Sequence, residues 1–300
     1  MAESASLWSI LALPLVLGAF AVGAATVDAR LGPGSVPGPG REVLRLLVQQ
    51  RRVTNAADQL LLRLGVTLLP VAAVLAAVVV PFGFTALSDL PDGIVWFNAM
   101  EALAWAAVWL AGWGPNSALS MIGGYRFLAQ GLAYEIPHML AITTAALGAE
   151  SLRVGAVVDA QSGLWFAVWM PVAFVIYLAS ALAMAFWGPF DQPVGSDVAG
   201  GAAAELSGVD RILFLGGRWL LLTVAAAAAV PLFLGGGHGP LLPGWAWTLI
   251  KTAAVLALLL WVRRRLPVLR MDRYMEVAWV ALTPLAIVQA LVVALVVLGR

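Results

Sequence analysis

Arg126 and Glu135 stand nine positions apart inside one apolar stretch, and Glu101 stands inside the apolar stretch before it. A charge at membrane depth is costly, so such residues mark pairing between helices, a hydrated route or a proton-carrying site. On a helix nine residues cover about 13.5 Å and leave the two side chains half a turn out of phase. Arg126 and Glu135 therefore cannot pair with each other. Each needs a partner from another helix or from water, which fits a hydrated path or a buried ion pair that fixes helix packing. Gln130 follows Arg126 by four and His138 follows Glu135 by three, so each charge has a polar neighbour on its own face. His138 reads as a hydrogen-bonded core residue rather than a ligand. Glu101 is too deep for a short side chain to reach the surface, and it reads equally as packing glue or as a proton-relay site.

Other charges interrupt the apolar pattern further on. The segment "WGPFDQPVGSDVAGGAAAELSGVDR" carries Asp191, Asp197, Glu205 and Asp210. It reads as a solvated loop with scattered acids, or as a functional loop, since long connections without secondary structure often are. Lys251 opens a later apolar stretch near its outer end, where a lysine can snorkel to the interface. Arg218 shares a face with Arg211 and is placed to reach the cytoplasmic interface.

The scaffold that must position these groups is a membrane one. Of 300 residues 62% are hydrophobic and 11% charged, against about 25% charged in soluble domains. A net charge of +1 without a basic surface gives no basis for a nucleic-acid partner. With no Cys there is no disulfide framework, iron–sulfur ligation or thiolate metal site, and two histidines do not provide paired haem ligands. Redox chemistry has to come from a bound molecule or a partner subunit.

A span needs about 20 mainly apolar residues, which predicts an all-α integral membrane protein with eight transmembrane helices near 7–27, 60–80, 94–112, 118–147, 163–186, 212–234, 245–262 and 277–298. The fourth is over-long, and its first turns are expected in the interface. The first is longer than a signal-peptide core of about 7–15 residues and is preceded by Glu3 without Lys or Arg, so it reads as a retained helix. Arginines cluster in the first and seventh connections and the fifth ends at Arg211, while the second and sixth have no Lys or Arg and the fourth only Arg153. By the positive-inside rule these odd-numbered connections are cytoplasmic and both termini lie outside. In the first connection, 32–40 is a Pro/Gly linker that should not be helical. "REVLRLLVQQRR" after it predicts a cytoplasmic amphipathic helix, with Val43, Leu44, Leu47 and Val48 on one face. It fits an anchor on anionic lipid or a gate beside a lateral opening. No soluble domain, P-loop, dinucleotide fingerprint or transporter-type repeat stands out, so 1–300 reads as a single transmembrane domain.

Three stretches together resemble the H-type membrane component of bacterial NADH:quinone oxidoreductase (respiratory complex I) and its relatives in membrane-bound hydrogenases. "LAGWGPNSALSMIGGYRFLAQGLAYEI" is similar to the family's "GWxSNxxxxxLGxxRxxAQxxSYEx" segment. "GPFD" at 188–191 with "ELSG" at 205–208 resembles its "APFD…EYSG" loop, and "IKTAAVLALLLWVRRRLPVLRMDRYMEVAW" resembles its last two spans. The resemblance implies a subunit without covalent chemistry or bound cofactor of its own, with quinone as substrate. Flavin and iron–sulfur clusters belong to partner subunits of the same membrane complex. It assigns Arg126, Glu135, Asp191 and Glu205 to a polar route coupling quinone reduction to proton movement, and Asp28, Arg30 and Arg41 to the border of a quinone entrance. Asp197 is a shifted substitute for a family carboxylate and Glu101 a compensating acid. Val194 and Ser196 replace two other loop acids, and Arg218 stands where the family has an acid. These departures keep open an energy-converting hydrogenase-type subunit, or an anchor that has lost coupling.

Overall fold

In the computed structural model, residues 7–32 and 38–299 are described. Most of the predicted 32–40 linker, and the segment holding Glu3, lie outside them. Among the described residues no strand forms, only a single bridge between Phe82 and Thr85. The helices are α1 (Leu7–Leu31), α2 (Pro39–Leu47), α3 (Gln59–Ala77), α4 (Gly93–Trp113), α5 (Ala118–Ala149), α6 (Val154–Asp159), α7 (Phe166–Trp169), α8 (Pro171–Met184), α9 (Gly208–Phe233), α10 (Gly244–Arg265), α11 (Met271–Val277) and α12 (Thr283–Leu298). Six helical segments are long and apolar enough to cross a membrane: Ile10–Leu31, Gln59–Ala77, Gly93–Trp113, Gly208–Phe233, Gly244–Arg265 and Met271–Leu298.

Local chemistry explains the boundaries. Asp58 caps α3, its Oδ1 accepting from the amides of Leu60 and Leu61 at 3.0 and 3.1 Å. The stretch expected as one span over 163–186 is broken in two. Pro171 has no amide hydrogen and restricts the residue before it, so Met170 leaves helical geometry and α8 starts afresh with Pro171 in its first turn. The helix expected over 41–52 is also shorter. It begins at Pro39, with proline again in the first turn, and ends at Leu47. Pro39 and Gly40 of the predicted linker are therefore helical. The chain from Arg51 onward runs irregularly, tied to α9 by an Arg51–Asp210 ion pair of 2.6 Å. The last membrane helix is continuous through one π turn, Ala278–Leu282. Beyond it Ala286, Gln289 and Val293 turn inward, three and four residues apart.

Two helices organise the bundle. α9 is the most enclosed, touching α1, α3, α8 and α10, while α5 touches α4, α8 and α12. The connection between α8 and α9 is not a solvated loop. Three 3₁₀ turns fold it back onto the first half of α5, burying Pro193, Val198, Ala202, Ala203 and Leu206. Gly123 permits this approach, because a Cβ there would lie 2.0 Å from the backbone nitrogen of Ala202. Gly123→Ala is expected to displace the 192–205 segment and cost roughly 1–3 kcal/mol or more. A lowered unfolding midpoint in detergent with faster protease cleavage within 192–205 checks this; an unchanged midpoint would refute the packing argument.

Candidate functional site

The middle of the bundle holds a polar cluster supplied by three helices. Glu101 of α4 and His138 of α5 are both buried, with Nε2 of His138 2.9 Å from Oε2 of Glu101. The distance is that of an ion pair, while Oε1 of Glu101 and Nδ1 of His138 have no protein partner. One turn away on α5, Glu135 accepts from Nδ2 of Asn98 on α4 at 2.9 Å. Gly131 leaves the Trp105 ring uncovered, so its Nε1 reaches the Tyr134 hydroxyl at 2.6 Å. On the α8 side, the Tyr177 ring lies 5.3 Å from that of His138, and the Tyr177 hydroxyl donates to the Ala225 carbonyl at 2.8 Å. The polar neighbours along α5 find their partners on other helices. Gln130 donates across to the Ala183 carbonyl of α8 at 2.6 Å, and His138 faces Glu101 rather than Glu135.

Arg126 meets the folded loop. Its guanidinium bonds both carboxylate oxygens of Asp197, at 3.0 and 2.6 Å, and the Gln192 carbonyl at 3.2 Å. Gln192 in turn accepts from the amide of Met271 through its Oε1 at 3.1 Å. Glu205 accepts from Ser117, just before α5, at 2.8 Å. The loop acids thus dock on α5 and its approach, and Arg126 beside Asp197 holds that carboxyl below the usual carboxylate range.

A second charged cluster gathers where α1, α9 and α10 reach the same end. Asp28 is clamped by Arg263 and Arg264. Arg263 lies 4.3 Å from the centre of the Trp187 ring and Arg218 lies 3.7 Å from it. Arg218 does not reach the interface as expected. It is buried, donating to the carbonyls of Ala185 and Phe186 at the end of α8, with Asp191 and Asp28 in electrostatic range. The half-buried Asp191 sits behind this cluster. Arg30 and Arg41 are exposed and have no ion pair among the described residues.

Lys251 corrects the snorkelling expectation. It is 6% exposed, and its Nζ donates to the carbonyls of Leu234, Gly236 and His238 at 2.6, 2.9 and 2.7 Å, with the Trp165 ring 4.3 Å away. This ammonium ties the α9–α10 connection to α10. Nothing in the sequence around Lys251 itself marks that role; the glycines at 235, 236, 237 and 239, with no side chain to cover their carbonyls, are the one signal that points to it. A cavity of about 580 Å³ lies between α1, the segment after α3, α9 and α10, lined by Leu13, Leu17, Phe20, Pro81, Thr223 and Thr252 among others. None of Asp28, Arg30 and Arg41 lines it. The four residue types able to hold a metal form no cluster of three among the described residues.

Helices and site together define a class, a helical membrane protein with ionisable groups spaced from one end into its interior. The family described as NADH dehydrogenase matches residues 5–294. The chain is 36% identical over 274 residues to an H-type component of the NADH-quinone oxidoreductase of Geobacter metallireducens, covering 88% of this chain and 83% of that one. It is 35% identical to an H-type component from Geobacter sulfurreducens at the same coverage, and 36% identical to one from Cereibacter sphaeroides, covering 90% and 88%. The chain belongs to this NADH dehydrogenase family, among the H-type components of NADH-quinone oxidoreductase.

Two measurements test the geometry. The Arg126–Asp197 contact is present in full above about pH 4, the ordinary aspartate range, and is lost as pH falls through the lowered value of Asp197. The side chain of Asp197 is 59% exposed, so the contribution stays under about 1 kcal/mol. Protection of the 192–205 amides, taken relative to the intrinsic exchange rate at each pH, should fall below that pH and be low at every pH in Asp197→Asn; protection indifferent to both would remove the contact. Lys251→Met should leave three carbonyls without their donor, costing about 1–3 kcal/mol, seen as a lower thermal midpoint and faster exchange over 234–238.

Proposed function

We propose that this chain is a membrane subunit of a proton-translocating NADH:quinone oxidoreductase-like complex, forming part of the quinone chamber and the first polar path that couples quinone reduction to proton transfer. α5, which carries Arg126 and Glu135, and the broken α7–α8 pair complete eight crossings within one transmembrane domain. The chain then lies multi-pass in the plasma or inner membrane. Its arginine-rich connections are cytoplasmic, and both termini lie on the outer face. α2 lies on the cytoplasmic surface: Leu46 packs inward, while Val43, Leu44, Leu47 and Val48 are 40%, 66%, 56% and 84% exposed, a face suited to lipid.

The observation that carries the reading is the succession of ionisable groups along α5. Asp197 and Glu205 dock at its first half, Arg126 binds Asp197, Glu135 follows on Asn98, and Glu101 faces His138 from α4. Asp191, between Arg218 and the Asp28 clamp, joins the loop to the end where Asp28, Arg30 and Arg41 would border the quinone entrance. Quinone is substrate in this account, and electrons reach it from flavin and iron–sulfur clusters held by partner subunits. Reduction changes the charge beside the loop, and the carboxyl groups deeper in α4 and α5 change proton occupancy in response. A second reading, a hydrogenase-type or purely anchoring subunit, is favoured by Arg218, a fixed cation buried where the loop begins. Subunits that co-purify with the native complex separate the two: NADH- and flavin-binding chains for the first, a nickel–iron pair for the second.

Glu135→Gln keeps the hydrogen-bonding shape but cannot carry a proton. The complex is expected to assemble while protons moved per NADH oxidised in reconstituted vesicles fall by the share that takes this path. An unchanged ratio takes Glu135 off the path.

A further inference from the structure

Nε2 of His138 and Oε2 of Glu101 meet each other at 2.9 Å, while Oε1 of Glu101 and Nδ1 of His138 are buried with no protein partner. One oxygen of Glu135, Oε2, is orphaned in the same way, and its carboxylate lies within electrostatic range of both partners. Buried polar groups are nearly always satisfied, so this concentration on three neighbouring ionisable side chains calls for a reason other than packing. His138 is held firmly, with the Tyr177 ring alongside and Tyr134 at its edge, ring centres 5.3 and 6.4 Å away. The titratable groups facing it are Glu101 from α4, Glu135 and Tyr134 from α5, and Tyr177 from α8. The Tyr177 hydroxyl donates to the Ala225 carbonyl, and the Tyr134 hydroxyl accepts from the Trp105 indole. Arg126 is twelve residues away, about 18 Å along α5.

A buried cluster is least costly near zero net charge. Two carboxyls and one imidazole are neutral with two protons bound, in any of three arrangements. Three sites share two protons, so one acceptor is always open. Without the imidazole the two carboxyls are neutral only when both are protonated, and no acceptor remains.

We propose that His138 is a proton-relay residue that keeps an acceptor open between Glu135 and Glu101, so that a proton crosses from α5 to α4 while the cluster stays neutral. This deepens, and rests on, the reading that both glutamates lie on the proton path. The proton leaves Nε2 of His138 for Oε2 of Glu101; the N–H bond breaks as the O–H bond forms, giving neutral imidazole and neutral acid. The Glu135 proton then passes to the vacated Nε2 of the imidazole, leaving Glu135 ionised. Two protons are present throughout, and the net charge is zero at each stage.

The test is protons moved per quinone reduced by the intact, reconstituted complex carrying His138→Leu, His138→Gln, Glu101→Gln or Glu135→Gln. All four are expected to lower the ratio, by the loss of the protons that take this path. A wild-type ratio in both histidine variants, with Glu101→Gln and Glu135→Gln impaired, overturns the relay and leaves the proposed function standing. A wild-type ratio in all four overturns that function itself. If the histidine variants do not assemble, the unaltered complex decides. Its redox-induced infrared difference spectrum should show an imidazole ring change together with the carboxyl change, and a carboxyl change alone overturns the relay.

Discussion

An ion taken out of water must be met by something other than water, and the arrangement of this bundle follows from that requirement. Arg126 is met by a carboxylate folded in from the α8–α9 connection, Asp28 by two arginines of α10, Lys251 by three carbonyls, Arg218 by carbonyls and an indole. In each case the partner comes from a different element. The charges therefore act as tertiary fasteners in a setting where lipid supplies little hydrophobic drive for helix association. Removing one member of such a pair leaves the other uncompensated, so these contacts specify which helix lies beside which.

Against that background Glu101, His138 and Glu135 differ. Asn98 meets Glu135 on one oxygen only, Glu101 and His138 meet through one atom each, and the remaining polar atoms of the three have no protein partner. The fasteners sit where α5, α9 and α10 approach the ends of the bundle, and this looser group sits between them. A rigid frame around a loosely bonded centre suits a site in which protonation changes but helices do not move.

Much of this is legible in the sequence, and the failures share a cause. The depth of Glu101, Arg126 and Glu135 inside apolar runs follows from composition, and their phase on the helix shows that Arg126 and Glu135 need separate partners. Which partners cannot be read, because Asp197 and Asn98 arrive by tertiary folding from 71 and 37 residues away. Lys251 and Arg218 read as interfacial because position along a helix resembles depth in a membrane. The structure instead turns nearby carbonyls toward them, a main-chain event that side-chain patterns do not announce. Pro171 is visible, but whether a membrane helix bends at a proline or restarts there depends on its neighbours. The folded 192–205 segment is hardest to foresee, since glycine and alanine carry little pattern; its docking depends on the missing side chain of Gly123.

The π turn at Ala278–Leu282 has a consequence for the far half of the last helix. One additional residue in a turn rotates everything after it by roughly 100° about the axis. That rotation aims the amide of Gln289 inward with Ala286 and Val293, and leaves Leu291, Val292 and Leu295 for the hydrocarbon. Excising a single amino acid there would straighten the coil and swing the amide out among acyl chains, so chain length at this point is as constrained as the identity of any side chain.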